Sequence, residues 1–539
     1  MNNPFISLLF PSEEKRAAHA LVEGRPNVSD VVCDEIGLST LLDLRGSSLS
    51  EYFTTDEEVI RYREATIADM ISLPRLGETL AEALPILYDI TELRRLDSDL
   101  GASSGESYLY SITEIELYVG VIDVLFKGLS EVRDELKSEA FGRLSSFVLE
   151  LVESDYYRDL NERLRQLSAK MREVRSITVG VNLDSAMRPV DAGVISINPE
   201  PFKSGKVLDK ILRMSFRNDA MTCIATLSPF GKGQSDNRRD ALLSAFNSAI
   251  EDVFKSSVRS WRSIIGEYVL DNTDFLLKLL PEIEFITKAT ALERRLTDKG
   301  CPLSTPVLRP IEEKALSAVS IYNPDVALRI EDDIVTNDFA FDDKARIYVL
   351  TGPNRGGKSV ITCAVGLTQA MVQLGLRAPA ASCTISPVHG IFTHFPEGAD
   401  DTIDKGRLGE ECARLRDIFD HVDEHSMILL DESLSSTGSY EASYIGQEIL
   451  AGFAIARCRG IFSTHLHELA AALPEVNARA AEDGGVAIDT LVAGIEEGRR
   501  SFHIYRATPD GKSYARDIAN KYGLSLEEIT GRLKAGKEG

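Results

Sequence analysis

The chain has 539 residues and a formal net charge of −24, from 60 Lys and Arg against 84 Asp and Glu. This length predicts several domains, at roughly 100–200 residues each. A composition of 43% hydrophobic and 27% charged residues is globular and excludes global disorder. The sequence contains no run of about 18 apolar residues, so we expect no membrane span. The acidic total disfavours a nucleic-acid partner, because phosphate binding depends on Lys and Arg.

Cysteine usage and the N-terminal sequence predict a cytoplasmic protein. The seven cysteines are widely spaced and odd in number, and no CxxC pair occurs among them. This pattern predicts reduced thiols rather than a disulfide framework or a zinc site. Residues 1–16 contain a short apolar run but no basic segment before it, which argues against export.

Two stretches without proline predict long helices. Residues 86–188 lack proline, and their apolar side chains recur at helical spacing. We interpret residues 1–56 as an N-terminal segment of the core and residues 57–175 as an outgoing helical arm. Residues 239–280 also lack proline and repeat the apolar pattern, so a returning helical arm is predicted over residues 237–305.

The sequence between the two arms is β-like. Residues 176–182, 193–197 and 221–227 are rich in β-branched side chains and are separated by Pro, Gly and Asn. They predict a small β-containing tip over residues 176–236. The two arms would then project this tip far from the main body. An ordinary α+β domain with long helices fits the same periodicity.

Residues 306–510 alternate between strand-like and helix-like segments. Three short apolar runs at residues 347–350, 427–430 and 460–464 end in a glycine loop, two acids and a histidine, respectively. Each run is typical of a buried parallel strand, so we predict an α/β domain here. Residues 511–539 are predicted to be largely helical.

A candidate phosphate loop follows the first of these strands and fits G-x-x-x-x-G-K-[ST] at every position. Glycines let backbone N–H groups close around phosphates, and the N-terminus of the following helix adds positive potential. Lys358 would reach the β- and γ-phosphates, and the Ser359 hydroxyl would bind Mg²⁺. The candidate nucleotide-binding residues are Gly352, Pro353, Asn354, Arg355, Gly356, Gly357, Lys358, Ser359 and Val360.

The other candidate catalytic groups follow the next two strands. Asp431 and Glu432 come at the strand end where α/β sheets bind ligands. Asp431 would hold Mg²⁺ together with Ser359, and Glu432 would orient or deprotonate the attacking water. His465 would sense the γ-phosphate. With Lys358, these residues predict an ATPase or a GTPase, and the absence of an N-K-x-D guanine motif favours ATP.

Four ordered motifs resemble those of the MutS family of DNA mismatch-repair ATPases. Residues 351–359 resemble its TGPNxxGKS loop, and residues 430–441 resemble its Asp-Glu strand with the Ser/Thr/Gly-rich loop that follows. Residues 463–469 resemble its [AS]-T-H-x-x-E-L segment. Residues 511–515, with the helices after them, resemble its S-Y-G segment and C-terminal helix-turn-helix.

The resemblance implies a multidomain fold. In it, long helical lever arms carry a small β-containing clamp at residues 176–236. An α/β P-loop ATPase domain follows at residues 306–510, and a C-terminal helix-turn-helix at residues 511–539 completes the dimer contact. The resemblance further implies Mg²⁺-dependent ATP hydrolysis and a two-fold dimer, expected to be a homodimer, with composite nucleotide sites. Residues 435–439 would couple nucleotide state to the dimer interface.

Several features depart from the family pattern. Mismatch-binding members carry an extra N-terminal domain with a Phe-x-Glu wedge, whereas here the lever-like helices begin near residue 57. The sequence therefore predicts a compact, diverged member without that domain and without an Smr domain. Residues 406–411 occupy the position of the family's G-R-S-T-F-like loop. The hydroxyl that this loop supplies in trans in the family is missing here. Residues 322–324 lie near the position where the family has an Arg-His-Pro sequence.

The predicted tip is locally basic. Residues 201–262 contain eleven Lys or Arg against six Asp or Glu, in contrast with the acidic chain as a whole. Lys232, Arg238 and Arg239 lie in a Gly- and Ser-containing loop suited to a phosphate backbone, and they are the candidate DNA contacts. No base-reading element is evident, so DNA binding is expected to depend on shape and salt.

These observations favour a cytoplasmic, MutS-like DNA-binding ATPase. It would act as an ATP-driven dimeric clamp on mismatched, branched or structured DNA in repair or recombination, without a membrane partner. The acidic balance keeps a second interpretation open, a nucleotide-switched interaction protein whose arms grip a protein or ribonucleoprotein partner.

Overall fold

In a computed structural model, the chain forms two compact units. The described residues are 5–21, 25–100, 106–172, 176–186, 189–198, 203–204, 222–223, 275–342, 344–353, 355–396, 407–496, 499–508, 523–526 and 528–530. The first unit comprises residues 1–6, 73–137 and 141–283, and the second comprises residues 7–72, 138–140 and 284–539.

The first unit is built on long helices. Helices α5 (Pro74–Leu100) and α6 (Glu106–Val132) have 27 residues each, or about 40 Å at 1.5 Å per residue. Helices α7 (Glu139–Glu153) and α8 (Asp155–Arg172) follow. The predicted long helices are therefore present in residues 74–172.

The apolar spacing seen in the sequence forms the contact between α5 and α6. A Cβ on Gly128 of α6 would overlap the Thr79 side chain of α5, so the two helices approach closely where Gly128 has no side chain. Their buried apolar residues are Leu76, Leu80, Ala83, Leu87, Ile90, Ile115, Tyr118, Val119, Val121, Ile122, Leu125, Leu129 and Val132.

A β-hairpin follows α8 in the first unit. Strands β1 (Ser176–Leu183) and β2 (Pro189–Asn198) pair antiparallel, with a register shift after Thr178. Strands β3 (Lys203–Ser204) and β4 (Thr222–Cys223) form a short parallel pair. The predicted β-character of residues 176–197 is thus present. Lys232, Arg238 and Arg239 lie outside the described residues, as does most of the predicted returning arm before residue 275.

A six-stranded sheet forms the centre of the second unit. Its strand order is β10-β11-β12-β8-β13-β14, parallel except for the antiparallel edge strand β14. Every residue of β8, β11 and β12 is buried. This burial agrees with the apolar runs in the sequence, which predicted strands covered on both faces. The strands are β8 (Ile347–Thr351), β10 (Ile391–His394), β11 (Met427–Asp431), β12 (Arg459–Ser463), β13 (Ile488–Glu496) and β14 (Arg499–Arg506).

The second unit also contains a four-stranded sheet. Its order is β5-β9-β6-β7, from strands β5 (Val307–Leu308), β6 (Leu316–Ile321), β7 (Asn337–Phe341) and β9 (Ser382–Ile385). The helices of the second unit are α1 (Glu13–Ala20), α2 (Asp30–Glu35), α3 (Leu38–Leu41), α4 (Glu57–Ser72), α9 (residues 275–298, which begins in the first unit), α10 (Pro324–Arg329), α11 (Lys358–Leu374), α12 (Arg407–His421), α13 (Ser439–Ile455), α14 (His467–Ala471) and α15 (Leu473–Glu482).

The N-terminal segment packs against α11 within the second unit. The Thr54 backbone N–H donates to Gln373 O at 3.2 Å, and Gln373 Nε2 donates to Thr54 O at 3.1 Å. Arg63 of α4 is fully buried, and its guanidinium donates to the backbone carbonyls of Leu9 and Tyr52. The Thr54–Gln373 bonds tie the N-terminal segment to α11, and the Arg63 bonds tie α4 to the backbone at Leu9 and Tyr52.

None of the described helices is both long enough and apolar enough to cross a membrane.

Candidate nucleotide-binding site

The glycine-rich loop connects the end of β8 to the start of α11. Gly352 and Gly357 have φ of 144° and 93°, values that glycine adopts without strain. A Cβ on Gly352 would lie 2.7 Å from Ala493 Cβ, and one on Gly356 would lie 2.8 Å from Pro353 O. The loop therefore needs glycine for both conformation and space. Asn354 lies outside the described residues.

Lys358 begins α11 and points back over the loop. Its side chain is only 3% exposed. The Nζ atom donates to Gly352 O at 3.3 Å and to Pro353 O at 3.4 Å, and it lies 3.7 Å from Glu432 Oε1. The structure thus brings the predicted lysine and glutamate together, although 74 positions separate them in the sequence.

Asp431 is the last residue of β11 and pairs with Ser463 of β12 in the sheet register. Burial raises the pKa of Asp431, while the nearby hydroxyls of Ser359 and Ser463 lower it, and the net shift is upward. Its Oδ1 atom is buried and accepts no hydrogen bond from the described residues. A buried carboxylate oxygen facing a serine hydroxyl is a pair of hard oxygen donors that suits Mg²⁺.

The described residues contain no group of three or more His, Cys, Asp or Glu side chains able to hold a metal ion. Asp431 and Ser359 would therefore supply only part of a magnesium coordination shell. Mg²⁺ commonly binds through one or two protein ligands and completes its shell with phosphates and water. The donor set fits that mode of binding.

Glu432 lies directly beyond the strand in a strained conformation. Its φ is 45°, which is uncommon for a residue with a side chain. The Glu432 backbone N–H donates to Ser463 O at 2.8 Å, which holds the residue against β12. Its side chain is 34% exposed and lines the pocket described below. Strain of this kind is frequent where a side chain must face a ligand.

A buried histidine supports the loop after Glu432. Ser433 Oγ donates to His394 O at 3.0 Å, and His394 Nδ1 lies 2.8 Å from the same hydroxyl. Because the Ser433 hydroxyl donates its proton to the His394 carbonyl, its oxygen accepts a hydrogen bond from His394 Nδ1–H. Burial lowers the pKa of His394 to about 4, so the ring is neutral near pH 7. Sequence reasoning missed His394, because only the pairing of β10 with β11 brings it beside the Asp-Glu pair.

His465 lies at the same edge of the sheet as Asp431, between β12 and α14. Its side chain is exposed, and it is not among the residues that line the pocket. The preceding Thr464 donates its backbone N–H to Leu350 O at 2.9 Å, which ties this turn to β8. His465 therefore follows the strand next to the one that ends in Asp431 and, like Asp431, is not among the residues that line the pocket.

A pocket of about 490 Å³ opens beside the loop. The polar side chains that line it include Asn323, Asp332, Asp333, Asn337, Arg355, Lys358, Ser359 and Glu432. Its apolar lining includes Ile321, Val326, Ile330, Ile334, Val335 and Phe502.

Phe502 lines the pocket beside the glycine-rich loop. A Cβ on Gly357 would lie 3.5 Å from Phe502 Cδ1, so the ring lies against the loop. Asn337 Nδ2 donates to Phe502 O at 3.2 Å, and the Ile504 N–H donates to Asn337 Oδ1 at 2.8 Å. Sequence reasoning missed this apolar wall, because its residues come from distant segments with no recognisable spacing.

Two family models match the chain. "MutS domain V" matches residues 348–519, which include the loop and the Asp-Glu pair, and "MutS2 N-terminal domain" matches residues 55–299.

Three relatives illustrate the similarity. "Probable DNA mismatch repair protein Msh6" of Drosophila melanogaster is 41% identical over 128 residues, which is 23% of this chain and 11% of the relative. "DNA mismatch repair protein Msh6" of Homo sapiens is 33% identical over 149 residues, 26% of this chain and 11% of the relative. "Endonuclease MutS2" of Thermus thermophilus is 29% identical over 203 residues, 38% of this chain and 26% of the relative.

The fold and the site therefore define a MutS-family protein, and the chain belongs to that family. Its helical region is of the MutS2 N-terminal type, as the match to residues 55–299 indicates. The matched segments span between 11% and 26% of the length of these curated relatives.

Proposed function

We propose that this chain is a Mg²⁺-dependent ATP hydrolase of the P-loop type. The observation that supports the proposal most directly is the position of Lys358 Nζ, 3.3 Å from Gly352 O and 3.7 Å from Glu432 Oε1. A cation beneath a glycine loop, with a carboxylate opposite, meets the needs of phosphoryl transfer to water.

Each side chain has a separate task in this proposal. The loop N–H groups and the start of α11 bind the phosphates, and Lys358 neutralises the β- and γ-oxygens. Ser359 and Asp431 would hold Mg²⁺, which would supply positive charge to stabilise the phosphates. Glu432 orients the attacking water and takes its proton, and His465 senses the γ-phosphate from the rim.

The pocket beside the loop suits the nucleoside part of ATP. Apolar walls with a few polar groups are typical of cofactor sites, and a purine ring packs well on Phe502. The absence of an N-K-x-D motif supports adenine over guanine. ATP is therefore the proposed substrate.

We further propose that nucleotide turnover drives a dimeric clamp on DNA. Membership of the MutS family and the names of the mismatch-repair relatives support a role in repair or recombination. The long helices α5 and α6 and the β1–β2 hairpin supply elements of an arm and a tip. The partner would be mismatched, branched or structured DNA, bound through its backbone and shape by a homodimer in the cytoplasm.

ATP hydrolysis by three purified proteins tests the site. Lys358→Ala should abolish both ATP binding and turnover, while Glu432→Ala should abolish turnover but retain binding. Glu475→Ala, on the exposed face of α15, serves as the matched control and should hydrolyse ATP like the wild type. Wild-type turnover rates in both site variants would refute the assignment.

A filter-binding panel tests the DNA partner. Homoduplex, mismatched duplex, four-way junction and structured RNA are compared at two salt concentrations, with and without ATP. We expect ATP-dependent binding to one or more DNA forms that weakens steeply with salt. Binding to none of the DNAs would favour a protein or ribonucleoprotein partner instead.

A further inference from the structure

The turn that follows β11 contains two residues with a left-handed backbone. Glu432 has a φ of 45° and Leu434 a φ of 64°, conformations that glycine adopts freely but that residues with a side chain seldom adopt. Ser433 lies between them and is 4% exposed. Strain of this kind persists only where the surrounding structure fixes the backbone. The turn also sets the direction of the Glu432 side chain, whose Oε1 lies 3.7 Å from Lys358 Nζ.

Contacts with both neighbouring strands hold this turn. Strands β10 and β12 lie on either side of β11 in the sheet. On the β12 side, the Glu432 N–H donates to Ser463 O at 2.8 Å. On the β10 side, Ser433 Oγ donates to His394 O at 3.0 Å and lies 2.8 Å from His394 Nδ1. Leu434 is buried in the apolar core of the second unit. The strained turn is therefore fixed at three successive residues.

The His394 ring contacts the turn rather than the pocket. It is 2% exposed and is not among the residues that line the pocket. Burial lowers the pKa of His394 to about 4, so the ring is neutral near pH 7 and adds no charge beside Asp431 and Glu432. Losing its bond to Ser433 would leave a buried donor or acceptor without a partner, which is costly. The ring therefore fixes the orientation of Ser433, the residue directly after Glu432.

We propose that His394 and Ser433 are positioning residues for Glu432 in ATP hydrolysis. This inference rests on the proposed function, in which Glu432 orients the attacking water and takes its proton. A general base must lie within hydrogen-bond reach of that proton, and a misplacement of about 1 Å can lower the rate about 100-fold. The bonds between Ser433 and His394 maintain this distance by fixing the backbone one residue beyond Glu432. Nucleotide binding does not require Glu432, so it should not require these bonds either.

The test compares Ser433→Ala and His394→Phe with the wild type and with Ser426→Ala. Ser426 lies just before β11, as Ser433 lies just after it, and it is 1% exposed. Its Oγ donates to Asp423 Oδ1 at 2.7 Å and accepts from the Asp423 N–H at 3.0 Å. The same substitution at the opposite end of one strand therefore controls for the loss of a buried hydroxyl with two hydrogen bonds.

Two histidine variants separate the ring from the rest of the turn. His394→Phe removes the ring donor but leaves the backbone carbonyl that accepts from the Ser433 hydroxyl. His394→Asn supplies an amide N–H near the position of Nδ1. Steady-state ATP hydrolysis reports kcat and KM, a non-hydrolysable ATP analogue reports Kd, and melting temperatures show that each variant is folded at the assay temperature. Ser433→Ala decides the question if His394→Phe does not fold.

We expect Ser433→Ala and His394→Phe to lower kcat by about 10- to 100-fold. KM and the Kd of the analogue should change less than about threefold, because the lost interaction acts in the transition state and not in binding. His394→Asn should recover most of the lost kcat. Ser426→Ala should keep the kcat of the wild type even if its melting temperature falls as far as that of Ser433→Ala.

Four results, each obtained with a wild type that hydrolyses ATP, would overturn the inference. These are an unchanged kcat in Ser433→Ala, an equal fall of kcat in Ser426→Ala, a rise of Kd that matches the fall of kcat, and an Asn at position 394 that is no better than Phe. A wild type that does not hydrolyse ATP would instead overturn the proposed function, and this inference with it.

Discussion

Arg377 and Glu293 form a two-pronged ion pair inside the second unit. Arg377 Nε lies 2.6 Å from Glu293 Oε2, and the Arg377 backbone N–H donates to Glu293 Oε1 at 2.8 Å. Glu293 belongs to α9 and its side chain is 1% exposed, while Arg377 follows the C-terminal end of α11. The pair therefore fastens the helix after the glycine loop to α9.

Arg377→Ala should lower the free energy of unfolding by about 3 kcal/mol. Removing one partner leaves the Glu293 charge buried and unpaired, and the lower end of the usual range applies because Arg377 is 29% exposed. Urea unfolding followed by circular dichroism at pH 7 measures the change. Arg309→Ala is the control, since Arg309 and Glu313 are about half exposed and 4.0 Å apart, and should cost less than about 1 kcal/mol. Equal losses in both variants would contradict the role of the buried pair.

Asp431→Asn tests the proposed magnesium ligand without requiring turnover. The substitution removes the charge that would hold Mg²⁺ but keeps the shape of the side chain, so ADP should bind almost equally with and without Mg²⁺. Because burial raises the pKa of Asp431, ionising it has a cost, and Asn should not lower the stability of the protein. The shift in melting temperature produced by ADP, measured with Mg²⁺ and with a chelator, checks both points.

Asp420→Asn is the matched control for that experiment, since Asp420 is exposed on α12. It should retain the full Mg²⁺-dependent increase in melting temperature. If Mg²⁺ raises the melting temperature of the ADP-bound Asp431→Asn protein as much as that of the wild type, Asp431 is excluded as a metal ligand.

Reversing Lys232, Arg238 and Arg239 to Glu should abolish DNA binding while basal ATP hydrolysis persists. The three side chains lie in the basic stretch of an acidic chain, and opposite charges there would repel a phosphate backbone. Binding to duplex and junction DNA at low salt is the measurement. Reversal of Lys278, Arg295 and Arg416, three exposed basic residues, controls for the change in net charge. Undiminished DNA affinity in the first variant would exclude these residues as contacts.

The strand positions and the loop were predictable because the signals are local. Parallel strands buried on both faces appear as continuous apolar runs, so residues 347–350 and 427–430 marked β8 and β11 closely. The Asp-Glu pair could be placed for the same reason, since it follows such a run. Long helices such as α5 follow from apolar periodicity, which continues through Gly77 and Pro85.

The rest of the site depends on contacts between distant segments. His394 contacts Ser433 only because β10 pairs with β11. Phe502 lies against the glycine-rich loop only because β14 forms the edge of the sheet. Neither pairing leaves a periodic pattern in the sequence. His465 illustrates the opposite case, because its motif was recognisable but its side chain does not line the pocket.

Two buried histidines should make the protein lose stability as the pH falls. Burial lowers the pKa of both His394 and His19 to about 4, from 6.5. The unfolded chain therefore takes up protons near pH 6.5 while the folded chain does not, so their contribution is complete above that pH. It is lost progressively between pH 6.5 and 4, by at most about 3 kcal/mol per histidine.

Single substitutions separate the two contributions. His394→Asn places an amide near the position of His394 Nδ1, which bonds Ser433. His19→Gln places an amide near the position of His19 Nε2, which lies 2.8 Å from Glu51 O. The slope of the unfolding free energy against pH gives the number of protons taken up on unfolding. Measured by urea unfolding between pH 6.5 and 4, this number should fall by about one in each single variant and by about two in the double variant. His465→Gln, a substitution at an exposed position, controls for the replacement of a histidine as such. A wild-type slope in both single variants would mean that neither ring stays neutral in the folded protein.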